Sequence, residues 1–489
     1  MCTGRLDPIF ILKAFETGFD AVLIAGCHPG DCHYIAGNEK CEREVNKIRK
    51  MMDILGIDTR RVLLEWISAS EAQKFADVVT EFVSQMRKLG PSRYKYKVSA
   101  GAPPISQSQM ITELATETKA TYCLDCGKCS GTCPIAEFNP NYLPRAIVSN
   151  ILIGSEHNIV RSRELYSCLG CYACYNRCPS DVDYPKFIRK MRSIAYNTGY
   201  MGDCAHSGIL QTAMKLMTVP NLKPNRLYWL NDDLEVSNKS DILYFTGCVP
   251  IFEPMFANEG IQIIDTIKAT IRVLNALGIK PKLLPNERCC GHDLLWNGNT
   301  EAFQHLAEQN AKMIRKSKVK RILFSCPEGL RTFKLDYPTY VDIDCELEHI
   351  TEFLSCELDN KPIKFKSDTK KVTYHDPCRL GRHLGIYDAP RDLLAKIDGI
   401  ELIEMPNNRH NSICCGTSAW MNCDSYSMQI RVNRLLEAKA TQAETLITAC
   451  PKCQIHFRCA MVNKGTINRP DIEIDVMDIV SLVANRLGT

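Results

Sequence analysis

Short apolar runs alternate with amphipathic stretches through most of the chain, and the period of that alternation changes between regions. Over residues 1–92 the pattern predicts a helix at Ile9–Thr17, a short strand at Ala21–Ala25, and a long amphipathic helix at Cys41–Leu55. A second strand is expected at Arg61–Ile67, followed by a helix at Glu71–Leu89 that Gly90-Pro91 ends. This is a small α/β module. Ser99–Gln109 carries Gly101, Pro103 and Pro104 among small polar residues and reads as a linker. Residues 110–200 are helical in period, including Tyr142–Leu165, whereas 201–240 is interrupted by Pro220 and Pro224.

From residue 241 the pattern repeats. Asp241–Phe245 leads to Cys248 as Lys371–Tyr374 leads to Cys378, and Cys289-Cys290-Gly291 returns as Cys414-Cys415-Gly416. Arg321–Phe324 leads to Cys326-Pro327-Glu328-Gly329, and Thr445–Thr448 to Cys450-Pro451-Lys452-Cys453. Val341–Leu354 and Ile472–Ala484 both read as strand then helix. The paired cysteines are offset by 124 to 130 positions. Short β-branched strands each followed by a cysteine loop predict an α/β sheet whose loops gather a site. The expected architecture is thus an α/β module at 1–92, an all-helical module at 110–200, and a pseudo-twofold α/β domain at 241–489. Its repeats are 241–365 and 371–489, with one site facing between them.

Composition changes the picture at one point: 26 of the 489 residues are cysteine. Such a chain is either a secreted disulfide scaffold or a metal binder in a reducing compartment. The N-terminus has no apolar run of a signal peptide, and the cysteines fall in C-x-x-C and C-C patterns, so a cytoplasmic metal binder is expected. No stretch approaches the ~18–20 apolar residues of a membrane span. The net charge of +4 is too small and too evenly spread to predict nucleic-acid binding.

The chemistry is most specific in the helical module. Cys123, Cys126, Cys129 and Cys133-Pro134, then Cys168, Cys171, Cys174 and Cys178-Pro179, follow the C-x2-C-x2-C-x3-C-P spacing of two-cluster ferredoxins. The fourth cysteine of each run ligates the other cluster. Cys123, Cys126, Cys129 and Cys178 are therefore expected to hold one [4Fe–4S] cluster, and Cys168, Cys171, Cys174 and Cys133 the second. Zinc sites use paired C-x2-C units instead.

The doubled C…CCG…CPxC pattern, with Tyr374-His375-Asp376-Pro377-Cys378-Arg379-Leu380-Gly381-Arg382-His383, resembles the cysteine-rich domain in the B subunit of heterodisulfide reductase. The ferredoxin module resembles the C subunit of the same enzyme, here fused ahead of it. Residues 1–92, with Gly26-Cys27-His28-Pro29-Gly30-Asp31-Cys32-His33-Tyr34, resemble the delta subunit of methyl-viologen-reducing hydrogenase. The resemblance implies a noncubane [4Fe–4S] cluster held by five cysteines in each repeat, on either side of a pocket where a small disulfide is cleaved. The second repeat supplies all five: Cys378, Cys414, Cys415, Cys450 and Cys453. The first keeps Cys248, Cys289, Cys290 and Cys326 but has Gly329 in the last position, so it holds a four-cysteine cluster, zinc, a noncubane cluster with a foreign ligand, or nothing. Cys2, Cys27 and Cys32 leave a [2Fe–2S] cluster of the first module one ligand short. Either Cys41 or a partner completes it, or the module is a docking remnant.

The partners implied are a flavin-containing protein like the A subunit of heterodisulfide reductase, and a hydrogenase or formate dehydrogenase. The competing expectation is an iron–sulfur relay of a respiratory hydroxy-acid or glycerol-3-phosphate dehydrogenase, without disulfide chemistry. His292 and His375, beside cysteines, are expected to tune a cluster by hydrogen bonding to sulfur. Trp296 and Trp420 are expected to wall the site. Arg379, Arg382 and His383 either bind an anionic substrate group or face a partner.

Overall fold

The computed structural model describes residues 2–94, 107–220, 222–257, 260–462 and 472–488. Its first module has two parallel strands, β1 (Val22–Gly26) and β2 (Val62–Trp66), paired from Val22↔Val62 to Gly26↔Trp66. The helix between them, Gly37–Leu55, buries Cys41, Val45, Ile48, Met52 and Leu55, a stripe at helical spacing. It begins four residues before the start expected from the apolar period. Helix Pro8–Thr17 starts at an Asp7 cap with proline in the first turn and packs on the connector helix Ile209–Leu216. Helix Gly37–Leu55 packs on Val249–Phe256 of the cysteine-rich domain.

Most of the expected linker, residues 99–106, lies outside the described residues, but its last three belong to helix Gln107–Glu117. The ferredoxin module is built from that helix together with Pro144–Leu152, Glu156–Val160 and Tyr184–Asn197. Asp183 caps the last of these by accepting a bond from the Lys186 backbone N–H. Tyr184–Asn197 then packs on helix His292–Asn297, which seats the module on the first repeat.

In the first repeat, β3 (Ile242–Phe245), β4 (Arg321–Phe324) and β5 (Glu346–His349) form a parallel sheet in that order. In the second, β6 (Lys370–His375), β7 (Ile400–Leu402), β8 (Thr445–Thr448) and β9 (Asp475–Asp478) are ordered β7-β6-β8-β9, again parallel. The missing fourth strand of the first repeat survives as a single parallel bridge, Leu243↔Lys282. The two repeats therefore share one topology. Their helices pack reciprocally: Ile264–Ala276 against Ile479–Arg486, and Ile350–Asn360 against Ala389–Ala395. That exchange is what a twofold between repeats requires. Cys248, Cys326, Cys378 and Cys450 all follow the carboxyl ends of strands, where open parallel sheets place their sites.

Candidate iron–sulfur sites and the junction between them

The ferredoxin cysteines gather in one part of the helical module. Cys123, Cys126, Cys129 and Cys178 line one void, and Cys174 of the second run lines it too. Cys133 belongs with the other run: burial, reinforced by Cys171 and Cys168 beside it, pushes its thiol pKa up. Burial likewise raises Cys174, with Cys168, Cys171, Cys133 and Cys129 as neighbours. A cluster would relieve this, because a metal holds its thiolates ionised.

In the second repeat the five thiols form a connected chain. Cys414 lies beside Cys378 and Cys415, and Cys453 beside Cys415 and Cys450, all as free thiols. Hydrogen bonds from Cys414 and Cys453 hold Cys415 down to about 6. His456 Nδ1 lies 3.3 Å from the Cys415 sulfur. His456 is three residues past Cys453 on helix Pro451–Val462, so helical spacing points both at one place. Sequence reasoning missed it. His292 is spent on charged neighbours: its Nδ1 faces Asp293 (2.9 Å) and Glu328 (3.4 Å), and its Nε2 takes a bond from Arg379 Nε (3.1 Å). His375 Nδ1 takes a bond from Arg434 Nε (3.2 Å), while its buried Nε2 has no protein partner among the described residues.

The first repeat brings four thiols together. The Cys248 and Cys289 sulfurs are 2.7 Å apart, Cys289 bonds to Cys290, and Cys326 has Cys290 and Cys450 as neighbours. Gly329 adds no ligand, and the nearest atoms a Cβ there would meet are Phe324 Cδ1 at 3.3 Å, Phe324 Cε1 at 3.8 Å and Cys326 Cβ at 3.9 Å. Cys345 is no substitute. It precedes β5, at the end of the sheet away from the site, and donates to the Val319 carbonyl (3.1 Å). The donor set fits a four-thiolate centre.

Between the two sets of thiols lies a buried ionic network. Glu328 and Lys452 occupy equivalent positions of the two repeats and meet at 2.5 Å, and Lys452 also pairs with Asp293. Trp296 and Trp420 cover its sides, 1% and 2% exposed, and so wall the site. Trp420 sits on a strained loop: Ala419, Trp420 and Asn422 have φ of 53°, 53° and 60°. Distant groups hold that loop. Gln211 Nε2 donates to the Ala419 carbonyl (2.8 Å), the Ala205 N–H to that of Trp420 (2.6 Å), and Asn422 Nδ2 to that of Tyr166 (2.8 Å).

Arg379, Arg382 and His383 face the ferredoxin module of the same chain. Arg379 and His383 both donate to the Gly170 carbonyl, His383 at 2.9 Å, and Arg382 Nε donates to that of Cys171 at 2.6 Å. Buried Arg192 adds bonds to the carbonyls of Cys168 (2.8 Å) and Trp296 (3.0 Å). The loop of one cluster site is thereby tied to the cysteine-rich domain, and Cys171 and Cys414 line one cavity. Gly170 is required here: at φ +57°, a Cβ would lie 2.4 Å from Trp296 Cζ3.

Three further cysteines, Cys2, Cys27 and Cys32, line an open cavity of about 610 Å³ on the first module. Cys41 is not among the residues lining it. It is buried in the core, with Thr3 and Cys2 as neighbours. The donor set there fits a cluster only with a ligand from outside these three.

Family comparisons agree with this layout. Residues 1–90 match the methyl-viologen-reducing hydrogenase delta subunit, 91–183 a 4Fe-4S dicluster domain, and 242–334 with 372–458 a cysteine-rich domain. The D subunit of dihydromethanophenazine:CoB–CoM heterodisulfide reductase from Methanosarcina mazei is 30% identical over 336 residues, covering 66% of this chain and 78% of that protein. The chain belongs to the heterodisulfide reductase D-subunit family. A match of that length exceeds the cysteine-rich domain alone, so one D-subunit relative spans modules that resemble the separate C and B subunits. The B subunit of fumarate reductase (CoM/CoB) from Methanothermobacter marburgensis is 26% identical over 374 residues, covering 74% of this chain and 71% of that protein. The iron–sulfur D subunit of the F420-non-reducing hydrogenase vhc from Methanococcus voltae is 52% identical over 95 residues, 19% of this chain and 66% of that protein. This member of the D-subunit family is thus an iron–sulfur oxidoreductase subunit. Among its described residues no helix is long and apolar enough to cross a membrane.

Proposed function

We propose that this protein carries electrons from a flavin-containing partner, like the A subunit of heterodisulfide reductase, through two [4Fe–4S] clusters to the cysteine-rich site, where a small disulfide is reduced. The overall step is RSSR′ + 2e⁻ + 2H⁺ → RSH + R′SH. The ferredoxin clusters are assigned to Cys123, Cys126, Cys129 and Cys178, and to Cys168, Cys171, Cys174 and Cys133. Cys378, Cys414, Cys415, Cys450 and Cys453 are assigned a noncubane [4Fe–4S] cluster, and Cys248, Cys289, Cys290 and Cys326 a four-cysteine cluster or zinc. When bound, such centres supply single electrons in sequence and a metal face for sulfur. The chain's own residues do the rest. Arg379, Arg382 and His383 fix the distance between donor and acceptor loops, Trp296 and Trp420 exclude water, and His456 donates to Cys415.

The observation that carries this reading is the Arg382 bond to the Cys171 carbonyl, which ties a ferredoxin cysteine loop to the second repeat, where Cys171 and Cys414 line one cavity. The N-terminal module is assigned to docking a hydrogenase or formate dehydrogenase. A [2Fe–2S] cluster on Cys2, Cys27 and Cys32 would need a fourth ligand there. The second reading, a relay with no disulfide chemistry, draws on Gly329. It also draws on a 28% match over 324 residues to the EtfAB:quinone oxidoreductase of Syntrophomonas wolfei, covering 43% of that protein. Stopped-flow reoxidation of the reduced protein separates the two. Disulfide reduction predicts two electrons withdrawn per disulfide added, whereas a relay predicts reoxidation by a quinone analogue and none by disulfides.

A further inference from the structure

His456 lies on helix Pro451–Val462, three residues past Cys453, and residues at that spacing share a helix face. Its Nδ1 comes within 3.3 Å of the Cys415 sulfur. The residue is 4% exposed, and its ring packs edge-on to Trp420 with centroids 5.2 Å apart. Trp420 is in turn held by the bonds from Gln211 and Ala205 to its loop. Packing on one side and the helix on the other therefore fix the direction in which the imidazole points.

Burial, with Arg431 and Lys452 as charged neighbours, pushes the imidazole pKa well below its usual value, so the ring is neutral and carries a single N–H. A thiolate bound to iron can only accept a hydrogen bond, which assigns that N–H to Nδ1. Nε2 is then a bare acceptor, and it has no partner among the described residues. The first repeat offers no counterpart. Gly329 stands where the second repeat has Cys453, and three residues further on is Thr332, whose buried hydroxyl has no partner among the described residues.

Reduction of an iron–sulfur cluster adds negative charge that its sulfurs share. An N–H aimed at one of them stabilises the reduced state more than the oxidised one, and so raises the potential. We propose that His456 is a positioning residue that acts through Cys415: its N–H raises the reduction potential of the second-repeat centre and holds the arriving electron there. The inference rests on the assignment of a cluster to the five cysteines of that repeat. It adds which side chain of this protein makes that centre the electron acceptor.

The test is a redox titration of full-length protein purified anaerobically with its clusters, each centre followed by EPR. The second-repeat signal is the one that Cys453→Ser removes. His456→Phe keeps a ring against Trp420 and loses the donor. It should lower the reduced-to-oxidised ratio of that signal about three- to tenfold at a fixed potential, tenfold being about 59 mV for one electron. The ferredoxin clusters should keep their midpoints. His456→Asn, whose amide N–H sits near the place of Nδ1, should recover most of the shift. An unchanged midpoint in His456→Phe, or a shift as large in His456→Asn, would overturn the tuning role while the cluster assignment stands. If no signal depends on Cys453, the assignment and the tuning role fall together. A second measurement needs no variant: in reduced wild type labelled with ¹⁵N-histidine, HYSCORE should show a nitrogen coupled to the second-repeat signal through the hydrogen bond. Its absence would overturn the proposal whether or not the variants assemble their clusters.

Discussion

Lys452→Met removes the one cation between two buried carboxylates and keeps the side-chain length. At 2.5 Å from Glu328, in a medium of effective dielectric about 20, the attraction is about 7 kcal/mol. Desolvating the ions offsets several kcal/mol each, so the intact network contributes little net stability. Losing the lysine is another matter, because Asp293 and Glu328, 2% and 7% exposed, would be left with only His292 between them. We expect a loss of about 3–5 kcal/mol. For a domain of this size that is a fall of roughly 6–20 °C in melting temperature. The double variant Glu328→Gln/Lys452→Met should be less damaged than the sum of the singles, by about 1–3 kcal/mol. Tryptophan fluorescence during anaerobic thermal unfolding is the assay, on samples of equal iron content, since Trp296 and Trp420 flank the network. A Lys452→Met loss below about 1 kcal/mol, or strict additivity in the double variant, would refute the argument.

Cys133→Ser should damage the cluster assigned to Cys168, Cys171 and Cys174 and spare the other; iron analysis with EPR decides, and loss of the opposite cluster would reverse the assignment. Gly170→Ala combines a left-handed backbone with a collision on Trp296, and should destabilise by about 2–5 kcal/mol. Gly131→Ala, with no atom within 4 Å of the added methyl, should stay within about 0.5 kcal/mol, and equal melting points for the two would contradict this. Burial raises Asp478 to about 7 while its side chain caps helix Ile479–Arg486. A carboxyl raised in the folded state adds stability at low pH that is lost as pH climbs from the unfolded value near 4 through 7. Asp478→Asn keeps an acceptor for the cap and removes the charge. It should raise the melting temperature at pH 8 and change little at pH 4.5, and equal destabilisation at both would argue against it.

Features set by local chain geometry were legible in the sequence. The ferredoxin cysteine runs are spaced by tight turns, and Cys248, Cys326, Cys378 and Cys450 follow strand ends, so local spacing predicted that each set of cysteines would lie near one another. What stayed hidden depends on distance along the chain. The carbonyls of Gly170 and Cys171 are bound by Arg379 and Arg382, more than 200 residues away. No local signal marks those arginines as braces for another module. The positive φ values at Ala419, Trp420 and Asn422 carry no glycine to announce them, because contacts from Ala205, Gln211 and Tyr166 enforce them. His456 is readable from its helical offset to Cys453, whereas His292 and His375 stand out only by lying near cysteines along the chain. Helix Gly37–Leu55 starts early because its first turn is polar, where an apolar period gives no mark.

The central claim is that electrons end at a five-cysteine centre in the second repeat, unlike the centre of the first. Mössbauer spectroscopy of ⁵⁷Fe-reconstituted protein, comparing wild type with Cys453→Ser and Cys326→Ser, addresses it most directly. The account predicts that Cys453→Ser abolishes a noncubane component while both ferredoxin cubanes remain, and that Cys326→Ser leaves that component in place. Equivalent noncubane components lost one with each variant, or no component lost with Cys453→Ser, would contradict it.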